Sequence, residues 1–70
     1  MIIDDFINSI SHPEYIEHIS IHIPGMCVRV FNTDNWNSTR DTIILMYGHR
    51  KVNKITLYAK GRVCVYINII

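Results

Sequence analysis

Between Lys54 and Ile69 the chain reads KITLYAKGRVCVYINI. Ile55, Leu57 and Ala59 alternate with Lys54, Thr56, Tyr58 and Lys60. Past the glycine, Val63, Val65, Ile67 and Ile69 alternate with Cys64, Tyr66 and Asn68. A repeat of two marks a strand with two unlike faces, so the stretch reads as two strands joined at Gly61. A three-residue loop, Ala59-Lys60-Gly61, pairs Leu57 with Val63 and Ile55 with Val65. It keeps the aliphatics on one face and gives Gly61 the left-handed position such loops need. A two-residue loop, Lys60-Gly61, mixes the faces and is rejected on that ground.

Outward from this hairpin, 70 residues make one small domain, residues 1–70, near the lower limit for a chain that folds alone. The apolar content is mostly β-branched: 14 Ile against two Leu and one Ala. Branched side chains fit a pleated surface, so a sheet is expected to dominate. The chain has six Asn, and together with the isoleucines they suggest an AT-rich coding sequence, as in many virus and phage genomes.

Ile3, Phe6, Ile7 and Ile10 lie on one helical face, with Asp4 and Asp5 in the first turn, where the helix dipole favours acids. Ser11 and Glu14 have the spacing of a capping box around Pro13, which predicts a second short helix from His12 to His18 that buries Tyr15 and Ile16. The alternative is one helix bent at Pro13. Ile19, Ile21 and Ile23 then alternate as a strand, Pro24-Gly25 signals a turn, and Cys27 to Phe31 is the next strand. A tight turn pairs Ile21 with Val28 and Ile19 with Val30. Pro-Gly favours a type II turn, which twists the wrong way for a tight hairpin, so a longer loop is the alternative. Asn32 to Asp41 reads as a polar loop, Thr42 to Tyr47 (TIILMY) as a central strand and Gly48 to Asn53 as a basic loop. The expected fold is α+β: two short N-terminal helices packed on one face of a mostly antiparallel, roughly five-stranded sheet.

Net charge is +1, but the charges are segregated: residues 1–28 hold Asp4, Asp5, Glu14 and Glu17 and no Lys or Arg, whereas residues 42–70 hold Arg50, Lys51, Lys54, Lys60 and Arg62 and no acid. The acidic start lacks the basic and long apolar segments of a signal peptide. No run approaches the roughly 18 apolar residues of a membrane span. Two cysteines are too few for a disulfide framework. The expected location is therefore the cytoplasm, that of a host cell if the chain is viral, with no membrane partner.

The sheet face turned from the helices is expected to show His22, Cys27, Arg29, Phe31, Lys54, Thr56, Tyr58, Cys64, Tyr66 and Asn68. Rings interleaved with cations suit a protein interface. They also suit single-stranded nucleic acid, with bases stacked on rings and phosphates neutralised. An ordinary solvent-facing strand surface would look similar. Trp36 stands alone in the polar stretch, where it either folds back over the core or anchors a partner. Arg29, Phe31, Trp36, Lys54, Tyr58, Tyr66, Arg50 and Lys51 are the candidate partner-binding residues.

Four His and two Cys raise the question of a metal. His18 and His22 straddle the expected helix–strand boundary, and Cys27 and Cys64 lie in different strands. His22 opposite Cys27 would be part of a site at most, and no set of four ligands is visible. No catalytic constellation, glycine-rich phosphate loop or paired carboxylates appear, and no cofactor is implied. A short Ile- and Asn-rich α+β chain without a catalytic motif is similar in type to the small accessory proteins of viruses and phages. Many of those inhibit a host factor or defence system by occupying its surface. The expected function is thus non-enzymatic protein binding, with a host factor as the partner and a homodimer as a further expectation. The alternative is a small RNA- or single-stranded-DNA-binding domain. Less favoured is a small nuclease or toxin built on His49 and Arg50.

Overall fold

A computed structural model describes residues 1–70. The elements in chain order are α1 (Ile3–Asn8), a 3-10 turn (Pro13–Tyr15), β1 (Ile16–His22), β2 (Arg29–Asn32), α2 (Trp36–Tyr47), β3 (Val52–Lys60) and β4 (Arg62–Ile69). The fold is α+β, with two helices and a four-stranded sheet in the order β2-β1-β4-β3. Two hairpins, β1–β2 and β3–β4, meet along the parallel pair β1/β4. The sheet is therefore mixed and has four strands instead of about five, and only one of its helices is N-terminal.

The β3–β4 hairpin keeps the expected faces in a different register. Leu57 lies opposite Val65 and Ile55 opposite Ile67, two residues from the expected partners. The turn closes tightly, with Lys60 opposite Arg62 and Gly61 at φ +89°, a left-handed conformation that favours glycine. Because side chains alternate with a period of two, an even slip leaves every residue on its face.

The β1–β2 hairpin differs by one residue, which reverses β2. Ile19 faces Phe31 and Ile21 faces Arg29, so Arg29 and Phe31 lie on the helix side and Val30 on the open side, 64% exposed. The cause is the turn. The Met26 amide bonds the Ile23 carbonyl at 3.0 Å, with Pro24 and Gly25 (φ +73°) between them. That is type II geometry, which splays the flanking strands and defers the ladder to Arg29.

Two segments correct the sequence expectation more deeply. Thr42–Tyr47 is the second half of α2, not a central strand. Read with residues 36–41, its apolar positions complete a helical stripe: Trp36, Ile43, Ile44 and Tyr47 pack on the core, while Leu45 points outward, 87% exposed. The Asn35 side chain caps the helix by accepting from the Ser38 amide at 3.4 Å. The expected helix over 12–18 is only the 3-10 turn, and Ile16–His18 belong to β1. Glu14 does not cap: its Oε1 lies 3.0 Å from His12 Nδ1, and Tyr15 is 63% exposed instead of buried. α1 has already ended at Asn8, and beyond the 3-10 turn Ile16 and the alternating Ile19, Ile21 and Ile23 claim the chain for the strand.

The helices cover one face of the sheet. The core is Ile3 and Ile7 of α1, Ile43 and Tyr47 of α2, and Ile16, Ile19, Ile21, Ile23, Val65, Ile67 and Ile69. At six residues α1 is too short to stand alone. Its first amides are satisfied by the loop after α2, from Ile3 to the Arg50 carbonyl (2.9 Å) and from Asp4 to the Gly48 carbonyl (3.0 Å). The Arg50 guanidinium in turn donates to the Ile70 carbonyl through Nε (3.0 Å) and Nη2 (2.8 Å). The basic stretch 48–51 is thus a clasp holding α1 and the end of β4.

Ile67 is wholly buried, whereas Leu57, on the same side of edge strand β3, is 61% exposed. Ile67→Ala is expected to cost about 2–5 kcal/mol and Leu57→Ala less than about 1 kcal/mol. Urea denaturation of the two variants would check the difference; equal losses would mean that the helices cover β3 as fully as β4.

Candidate interaction surface on the open sheet face

The ladder fixes which side chains meet on the bare side of the sheet. One row across the strands is Asn32, His18, Cys64 and Tyr58; the next is Val30, Ser20, Tyr66 and Thr56; the third is His22, Asn68 and Lys54. Tyr66 is the hub. Tyr58 meets it edge to face at 5.4 Å between ring centroids, His18 does so at 5.8 Å, and His22 lies tilted at 6.1 Å. Such T-shaped pairs match positive ring edge to negative ring face. Ser20 lies low between these rings and is only 3% exposed. His22, Thr56, Tyr58, Tyr66 and Asn68 line a shallow open groove of about 520 Å³.

Of the candidate residues, Lys54, Tyr58 and Tyr66 come together here, with Thr56, Cys64, Asn68 and His22 as expected. Arg29 and Phe31 do not, because of the one-residue shift; the Phe31 ring packs edge-on against Tyr47 at 6.5 Å. Cys27 is exposed in the connection before β2. Trp36, in the first turn of α2, folds back against the core. Arg50 and Lys51 lie in the clasp, where Lys51 is exposed and bridges Ile2.

Sequence reasoning missed His18, Ser20, Val30 and Glu17. His18 and His22 share one strand and one face, which the expected helix over 12–18 concealed. Glu17 arrives by a β-bulge: Ile16 pairs with Val63 and His18 with Cys64, so two steps on β1 match one on β4. The three-residue gap from Ile16 to Ile19 in the isoleucine pattern was the available signal. The Ile16 carbonyl at the bulge accepts from Thr33 Oγ1 and from Arg62 Nη2, each at 2.6 Å, and Arg62 also donates to Thr33 Oγ1 at 3.1 Å. Arg62 is therefore committed to closing the bulge.

The face is close to neutral. Lys54 is the cation beside the groove, Lys60 lies beyond Tyr58 along β3, and Glu17 stands at the opposite corner. Cys64 Sγ donates to Glu17 Oε2 at 3.3 Å. Partial burial pushes the Cys64 thiol up from its usual value, and the hydrogen bond and charge of Glu17 push it further. A raised thiol holds less reactive thiolate at neutral pH. Glu17→Gln removes the repelling charge, so alkylation of Cys64 at pH 8 in metal-free buffer is expected to speed up. Iodoacetamide rates in a Cys27→Ser background would measure it; an unchanged rate would show that Glu17 does not act on the thiol.

No helix is long and apolar enough to cross a membrane. Comparison with known protein families, curated proteins and solved structures found no match to this chain.

Proposed function

We propose that this is a non-enzymatic binding protein that acts by occupying the surface of a protein partner, in the manner of a viral or phage accessory protein that inhibits a host factor. The supporting observation is the uncovered sheet face, with Tyr66 ringed by Tyr58, His18 and His22 beside a groove. Tyrosines give large contact area for little conformational entropy, and each ends in a hydroxyl that can meet a polar partner. The unpaired edges of β2 and β3 flank the face, and the exposed Val30 extends it with apolar area.

Charge favours protein over nucleic acid. Tracking a phosphate backbone needs a line of free cations. Arg29 lies on the helix side, Arg62 is held at the bulge and Arg50 is held at Ile70, which leaves only Lys54 and Lys60, on either side of Tyr58 along β3, too few for a cation track. The second reading, a single-stranded RNA- or DNA-binding domain, rests on Lys54 next to Tyr58 and Tyr66.

Affinity capture from the host proteome with wild type and Tyr66→Glu, and with Leu45→Glu on the outer side of α2 as control, tests the choice. The expected result is a protein captured by wild type and Leu45→Glu but lost with Tyr66→Glu. For the purified pair, Tyr66→Ala should weaken binding by about 2 kcal/mol or more, roughly thirtyfold. Salt-sensitive binding to mixed-sequence single strands, lost with Lys54→Glu, would instead establish the second reading. Light scattering separates a third outcome: a dimer that dissociates on Tyr66→Glu would make the partner a second copy.

A further inference from the structure

One corner of the open face has a chemistry that protein docking does not use. Glu17, His18 and Cys64 each present one donor atom, and the three atoms lie within 4.8 Å of one another. Glu17 and His18 are sequence neighbours, which a regular strand would send to opposite faces. The bulge turns both to the same side, while Ile16 and Ile19 stay in the core. Cys64 stands opposite His18 on the parallel strand.

Two further observations suit a cation. The ion pairs of the molecule are His12–Glu14 and Arg40–Asp41, so Glu17 has no cationic partner and meets only the thiol. Donors bound tetrahedrally at roughly 2.0–2.3 Å stand about 3.3–3.8 Å apart. The Cys64–Glu17 separation of 3.3 Å already meets that distance, and small rotations of the solvent-accessible Glu17 and His18 side chains close the rest.

We propose that Glu17, His18 and Cys64 bind one zinc-class divalent ion through carboxylate, imidazole and thiolate, with water at the fourth position. Sulfur with imidazole nitrogen selects zinc or cobalt over magnesium or calcium, which take oxygen ligands. On binding, the Cys64 S–H bond breaks, its proton leaves to buffer and the sulfur–metal bond forms. At neutral pH, where a thiol is mostly protonated, binding therefore releases about one proton per ion. The site shares His18 with the ringed surface but needs neither Tyr58 nor Tyr66, so Tyr66→Glu, which tests docking, leaves all three donors in place.

Cobalt is the probe, because a thiolate ligand gives it a near-ultraviolet charge-transfer band. Titration of the full chain in a Cys27→Ser background should raise that band to saturation at one equivalent, and added zinc should abolish it. Cys64→Ser, nearly isosteric and checked for folding by circular dichroism, should remove the band. His18→Ala and Glu17→Gln should each weaken zinc binding by at least the roughly 10–100-fold that loss of a supporting second-shell partner costs. Calorimetry in two buffers of different ionisation enthalpy should give the proton release. The assignment is overturned by absence of a band at equimolar cobalt, by a band that survives Cys64→Ser, or by unchanged affinity in either His18→Ala or Glu17→Gln.

Discussion

Ile16 stands opposite Val63, and from there β1 and β4 run side by side in parallel to His22 opposite Asn68. Each hairpin is local in sequence, but neither has a core until these two strands meet. Parallel neighbours cannot be joined by a tight turn and need a crossover, usually through a helix. Here β2, α2 and β3 together make that connection, and α2 packs Ile43 and Tyr47 onto the face that the pairing creates. The side chains meeting across the pair are Ile19 with Val65 and Ile21 with Ile67, the centre of the apolar cluster. Bringing them together closes a loop of more than forty residues, whose entropy must be offset by burial in a very small core. The clasp at 48–51 helps by tying α1 and the end of β4 to the same short loop.

The faces of β3 and β4 were legible because a period of two persists through both strands and Gly61 marks the turn. Their register was not, since several even slips satisfy the same pattern and hydrogen bonding at the turn chooses among them. For β2 the parity itself was at stake, and the choice fell to Pro24-Gly25, whose backbone preference outweighed the burial of two valines. The helix over 36–47 was hidden because Thr42–Tyr47 is too short and too apolar to show a period. Only the Asn35 cap and Trp36 upstream reveal it. Neighbourhood of β1 and β4 was not legible at all: alternation reports which face a residue takes, never which strand lies beside it. The candidate surface inherits this division. Tyr58, Tyr66 and Lys54 followed from the hairpin, whereas Arg29 and Phe31 were lost with the parity of β2, and His18 and Glu17 emerged with the bulge.

A parallel pair normally sits between two covering layers, whereas antiparallel sheets commonly leave one side to water. This sheet has its parallel pair at the centre and a helical layer on only one side. The open side of the pair is sheltered by its own side chains: His18, His22 and Tyr66 close over Ser20. The aromatic cluster thus has two roles. It shields the central backbone ladder, and it offers the area on which a partner would settle. Residues at the rim, Tyr58 and Lys54 on edge strand β3, carry less of the first role because β3 is flanked on one side only. A loss of binding in a rim variant therefore reports on docking, whereas a loss in a Tyr66 variant must be compared at equal folded fraction.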